Sequence, residues 1–249
     1  MSEDVRRTEL RLPDGRVLGI HDTGPADADV VLWHGGSPNT GEPPGPWRTD
    51  GERWIGVDRP GYGRSTRLPG RTVADVAADV RAVLDHLGIA LCRTVGHSGG
   101  ASHALACAAL LPDRVTHALC LSGLSPGEPL EGPERPTTGD DEVPFTPEDW
   151  AALAGPWNWF ETVVAEASGS PGFDDDESAH AADWGFDPSR TTVPVRIVHG
   201  EADLMVPVGH AHRLARLLPA AEVVTVPGAG HLSVLQHLDA RGGLTRSSG

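Results

Sequence analysis

Residues Val95 to Ala106 read VGHSGGASHALA, and the fold turns on how this stretch is read. Within it, Gly96-His97-Ser98-Gly99-Gly100 fits G-x-S-x-G, the pattern of a sharp strand-to-helix turn that thrusts a serine Oγ into a cleft. Gly99 opens ASHALACAALL, an alanine and leucine run of strong helix propensity that stops at Pro112. Glycine at 96 and 100 suits a turn that tolerates little bulk. The chain holds a second match, Gly123-Leu124-Ser125-Pro126-Gly127, which serves as an internal control. A nucleophile elbow needs the N–H of the following residue to hold a developing oxyanion, and Pro126 has none. Ser98 is therefore the candidate nucleophile, and Ser125 reads as a loop residue.

Working outward, strand-like and helix-like segments alternate. ELRLPDGRVLGIHD reads as a hairpin turning at Asp14-Gly15, and 29–36 and 53–61 read as buried strands that end in glycine loops. Val73, Val76, Val80, Val83, Leu84 and Leu87 recur at helical spacing behind a cap-like Thr72-x-x-Asp75. A strand over 92–97, a helix over 99–111 and a strand over 116–122 follow. After about residue 190 come the strand VPVRIVHG, a helix over His210 to Leu218, the strand AEVVTVPG and an expected terminal helix from His231. Such alternation predicts a mainly parallel sheet of about eight strands with helices on both faces and ligands at the strands' carboxyl ends.

Residues 125–190 break the rhythm. They are rich in proline, glycine and acid, yet carry Phe145, Trp150, Trp157, Trp159, Phe160 and Trp184. The expected division is a core of 1–124 and 191–249 with a small lid at 125–190. Its rings either cover a site, with Trp150, Trp157 and Trp159 as substrate-contact candidates, or give the insertion a core of its own.

Composition narrows the function. A net charge of −15, with all 20 basic residues arginine and no basic run, argues against nucleic acid. No apolar stretch reaches the length of a membrane span and the amino terminus has no signal-like core, so the expectation is a soluble cytoplasmic protein without a membrane partner. Cys92, Cys107 and Cys120 have no C-x-x-C spacing and read as buried free thiols. The acidic clusters Asp140-Asp141-Glu142 and Asp174 to Glu177 lack the alternation of a calcium loop and read as solvated surface, so no metal site is expected. A small-molecule substrate is the expected partner, with a homodimer left open.

Activating a serine takes a base within hydrogen-bond reach and a third group to fix that base's tautomer. Asp203 and His231 each follow a predicted strand, in HGEADLMVP (199–207) and GAGH (228–231), and stand in the chain order Ser, acid, His. Together with HGGSPN (34–39), DRPGYGRS (58–65) and GHSGG (96–100), these segments resemble the α/β-hydrolase superfamily over essentially the whole chain. The resemblance implies an α/β-hydrolase fold with a shortened lid and a cofactor-free mechanism. Ser98 would be the nucleophile, His231 the general base and then acid, and Asp203 the group that orients it, with Glu201 as its rival. The oxyanion hole would fall to the N–H groups of Gly99 and Gly36, with Ser37 as an alternative donor. His97, beside the nucleophile, and Tyr62, in the DRPGYGRS loop, are further candidates for touching substrate, whereas His34 and His199 read as structural. The implied chemistry is hydrolysis of a carboxylic ester, lactone or thioester through an acyl-enzyme. The alternatives are an aminopeptidase-like amide hydrolase, a lyase or cyclase using the same triad, and a ligand receptor with little turnover.

Overall fold

The short apolar runs become strands and the longer alanine- and valine-rich ones become helices. In the computed structural model, which describes residues 5–48, 51–127, 143–239 and 243, the strands form one eight-stranded sheet. In chain order the strands are β1 (Arg6–Arg11), β2 (Val17–Thr23), β3 (Asp29–His34), β4 (Glu52–Val57), β5 (Cys92–His97), β6 (Val115–Leu121), β7 (Val195–Gly200) and β8 (Ala221–Val226). Their spatial order is β1-β2-β4-β3-β5-β6-β7-β8; β2 runs antiparallel to both its neighbours and every later pairing is parallel. The helices are α1 (Val76–His86), α2 (Gly99–Leu110), α3 (Pro147–Leu153), α4 (Trp159–Ala167), α5 (Gly172–Ala181) and α6 (Gly209–Leu217). The expected α/β-hydrolase architecture is thus present, with β5 and α2 at the ends assigned from sequence to within a residue.

Side chains alternate between the two faces of a strand, and the registers Leu32↔Ile55 and Val31↔Trp54 sort the core accordingly. Leu32, Ile55, Cys120 and Ile197 pack with α1, α2 and α6. Val31, Trp33, Trp54, Val95, Leu121 and Val198 form the second core. All three cysteines are free and buried, and no helix among the described residues is long and apolar enough to cross a membrane.

The insertion between β6 and β7 carries α3, α4 and α5, and its aromatic rings do not form a core of their own. Trp157 sits edge-on to Trp47 at 5.2 Å within the second core. Trp184 packs in the first core, stacked on Phe186. The insertion therefore lends residues to both faces of the sheet.

Two expectations are corrected. The terminal helix is a five-residue 3-10 segment, Ser233–His237, which ends where Leu238 turns extended (φ −124°, ψ 145°) and buries its side chain. The Asp174–Glu177 cluster is not uniformly solvated, because Asp175 and Asp176 are buried. Asp140-Asp141-Glu142 lies outside the described residues.

Candidate active site

Ser98 stands between β5 and α2 at φ 55°, ψ −128°, a conformation that costs a non-glycine residue about 1–3 kcal/mol and persists only where its surroundings enforce it. The surroundings do so. Ser98 N–H donates to the Leu121 carbonyl at 2.9 Å. A Cβ on Gly96 would overlap the Gly100 carbonyl, and one on Gly100 would overlap the His34 carbonyl. Ser98 keeps partial exposure in an otherwise buried turn. The amide of Gly99, first in α2, has no acceptor within its helix and is free for a ligand oxygen. Gly36 lies against Ser98, the position of a Cβ on it being 3.7 Å from Ser98 Oγ.

His231 follows β8 and Asp203 follows β7, so both loops open at the edge of the sheet where β5 ends. Asp203 Oδ2 is 2.8 Å from His231 Nδ1. The other oxygen, Oδ1, accepts the N–H groups of Met205 and Val206 at 2.9 and 2.8 Å, which fixes the carboxylate's plane. Burial would raise the pKa of Asp203, but the charge of His231 and the side-chain hydrogen bonds of His199 and His231 hold it well below the usual carboxylate range. Burial likewise opposes protonation of His231, and the Asp203 charge and hydrogen bond overcome it, leaving the imidazole pKa raised. Glu201 is exposed and accepts the Thr225 hydroxyl, so it takes no part in this pair. Among the described residues no hydrogen bond closes between Ser98 Oγ and His231; in unliganded sites such bonds are often long and tighten around substrate. The ring of His97, next to Ser98, lies 4.8 Å from that of His231.

The loop carrying Gly36 is held from below. Arg59, in DRPGYGRS, donates through Nη1 to the Gly35 carbonyl and through Nη2 to the Gly36 carbonyl, both at 2.6 Å. Its counter-charge comes from the insertion. Asp176 of α5, wholly buried, accepts from Arg59 at 2.6 Å, Arg71 at 2.7 Å, Tyr62 Oη at 2.9 Å and the Ser37 hydroxyl. Burial would raise the Asp176 pKa, but Arg59, His103 and Arg71 hold it well below the ordinary value. His180 on the same helix reaches the Gly99 carbonyl at 3.1 Å and Ser102 Oγ at 2.9 Å.

The remaining sequence candidates divide. Ser37 lies beside Gly99, its Oγ 2.8 Å from where a Cβ would stand. Trp159 and Phe160 are half-buried, with the Phe160 ring 6.2 Å from that of His97. Trp150 is 47% exposed against Phe145. Tyr62, Trp157 and His97 correct the expectation of substrate contact, because all three are buried with other partners. Tyr62 serves Asp176, Trp157 fills the core, and His97 Nε2 meets the His231 carbonyl at 2.9 Å. Burial and the neighbouring His231 bring the pKa of His97 down to about 3, so it is neutral. His34 is structural, near Cys107. His199 is more than that, because its Nε2 lies 3.4 Å from Asp203 as well as 2.7 Å from the Val206 carbonyl. Ser125 is buried against Nδ1 of His210 at 3.1 Å, shut off from solvent and followed by Pro126. Sequence reasoning missed Asp176, Arg71, His180 and Asp149; only Asp149 left a signal, the capping-box spacing Thr146-x-x-Asp149. Among the described residues no group of three His, Cys, Asp or Glu is arranged to hold a metal ion.

The profile of the Alpha/beta hydrolase family matches residues 30–241. A non-heme chloroperoxidase of Burkholderia pyrrocinia is 28% identical over 247 residues, covering 84% of this chain and 87% of its own. A bifunctional esterase/perhydrolase of Acinetobacter calcoaceticus is 27% identical over 260 residues, covering 88% and 90%. A hydrolase from Pseudomonas aeruginosa shares the fold with a TM-score of 0.74 at 21% identity, each chain covered to 93%. The chain belongs to the alpha/beta hydrolase family, and it is an enzyme of the hydrolase class.

Proposed function

We propose that this protein is a serine hydrolase that cleaves a small carboxylic ester through an acyl-enzyme. The observation that carries this reading is the strained, partly exposed Ser98 at a strand-to-helix turn, set at the same sheet edge as a buried His231–Asp203 pair 2.8 Å apart. Ser98 Oγ attacks the carbonyl carbon while His231 Nε2 takes the hydroxyl proton. The N–H groups of Gly99 and Gly36 receive the oxyanion, a contribution of about 10²–10³ in kcat per donor. The C–O bond then breaks and the departing alkoxide takes the proton from His231. A water deprotonated by the same imidazole attacks the acyl-enzyme, releasing the acid and restoring Ser98. Asp203 holds the proton on Nδ1, keeping Nε2 free to accept.

The ester reading is favoured over recognition of a substrate amine by the fate of the lid acids. Asp149 and Asp176 are engaged by backbone amides and arginines, and Asp175 by Arg67. The esterase named among the relatives supports the same choice.

The test is intact-protein mass after exposure to a fluorophosphonate. One adduct is expected on the native chain and on Ser125→Ala, none on Ser98→Ala, and slow labelling on His231→Ala. Adduct formation that survives Ser98→Ala would overturn the assignment of the nucleophile. A folded native chain that takes no adduct would favour lyase or receptor chemistry.

A further inference from the structure

Asp149 is the third residue of α3, and its carboxylate is wholly buried. Helix capping accounts for part of this. Oδ2 accepts the Thr146 N–H at 3.0 Å, while Thr146 Oγ accepts the Asp149 N–H at 3.1 Å. The carboxylate goes on to accept three successive amides of another loop, from His231 at 3.2 Å, Leu232 at 2.9 Å and Ser233 at 2.7 Å. Consecutive N–H groups converging on one anion form a nest, and this nest carries the catalytic imidazole. Gly230 completes the seat, since a Cβ there would overlap Asp149 Oδ2.

The groups facing His231 are few. Asp203 meets Nδ1, backed by His199; the neutral His97 ring lies alongside; Asp149 holds the backbone. Burial would raise the Asp149 pKa, but the amides outweigh it and keep the group charged at neutral pH. Asp149 thus adds a second negative charge to the surroundings of the imidazole, after Asp203.

We propose that Asp149 is a positioning residue through which the lid sets the catalytic histidine, its carboxylate fixing the backbone of residues 231–233 and so aiming the imidazole at Ser98. The proposal rests on the serine-hydrolase reading above. It makes the lid part of the catalytic assembly and not only a cover over it.

The test compares the native full-length protein with Asp149→Asn and Thr146→Val, each checked for folding by melting temperature. The readouts are p-nitrophenyl acetate kinetics and NMR titration of Cε1-labelled histidine, with the His231 signal assigned from His231→Gln. For Asp149→Asn, kcat should fall about 10- to 100-fold, the scale of a small misplacement of reacting groups. KM should stay within about twofold, since ground-state binding is untouched. The His231 titration should move to lower pH, because losing a nearby negative charge disfavours imidazolium. Thr146→Val removes the capping hydroxyl but leaves the carboxylate, and should change neither kcat nor the titration. Gly230→Ala wedges a methyl against the carboxylate and should lower kcat in the same way, an independent route if Asp149→Asn does not fold. Unchanged kcat and titration in Asp149→Asn, or equal losses in Thr146→Val, would overturn the proposal. If native protein neither turns over ester nor labels at Ser98, the serine-esterase reading fails, while the titration comparison still decides whether Asp149 governs His231.

Discussion

Replacing Asp176 by Asn changes one charge and almost no volume, at a point where α5 meets the loop that carries Gly35 and Gly36. The native carboxylate is wholly buried, and the side chains of Arg59 and Arg71 on it are 4% and 3% exposed. Asn would leave two guanidinium groups without a counter-ion and turn an amide N–H₂ toward donors. Breaking a buried ion pair from one side costs about 3–5 kcal/mol. For a chain of this size each kcal/mol moves Tm by about 2–4 °C, so Tm should fall by about 6–20 °C. The neighbouring Asp175→Asn is the control. Its partner Arg67 is 46% exposed, and ion pairs in that setting contribute little. Calorimetry or a thermal melt at pH 7 would give both values. The folded-state pKa of Asp176 is depressed, so its stabilisation is present above the unfolded value and is lost as pH falls through the folded one. The gap between native and Asp176→Asn should therefore narrow once pH drops below about 4. Because Arg59 also holds the Gly35 and Gly36 carbonyls, kcat should fall in any variant that still folds. A folded Asp176→Asn protein melting within about 3 °C of native would refute the reasoning, because it would mean that the buried arginines need no counter-charge.

Two further outcomes are expected. The raised pKa of His231 places the acid limb of kcat/KM above that of an ordinary histidine, with activity rising as the imidazole loses its proton; a limb centred below about 6.5 would contradict this. Gly36→Ala would place a methyl 3.2 Å from Ser98 Cβ and should cut kcat while leaving Tm nearly unchanged, whereas Gly100→Ala, driven into the His34 carbonyl, should lower Tm sharply; melts and kinetics on both variants separate the two.

Much of this site was legible in the chain because its signals are local. The elbow announces itself through two glycines and the helix after it, and Asp203 and His231 through glycine turns that end β-branched runs. What the sequence hid are contacts across long separations. Asp176 sits in an acidic run that reads as solvated, and nothing nearby indicates that Arg59, 117 residues earlier, needs its charge. Tyr62 reads as a substrate contact from its place in the DRPGYGRS loop, yet that same carboxylate draws its hydroxyl inward. The rings of the insertion offered no clue to which sheet face each would join, since Trp157 and Trp184 enter opposite cores. A terminal helix is expected from His231, but its shortness is hidden, because apolar spacing alone does not show where Leu238 must leave helical geometry to reach the core.

The way the insertion straddles the sheet bears on how such an enzyme can diversify. Segments that join core elements are usually where a fold tolerates exchange. Here a wholesale exchange of residues 143–190 would strip Trp157 and Trp184 from the two cores and remove the carboxylates of Asp176, which backs Arg59 beneath Gly36, and of Asp149, which holds the loop of His231. Change is open instead at Trp150 and Phe173, which stand exposed on α3 and α5 and belong to neither core.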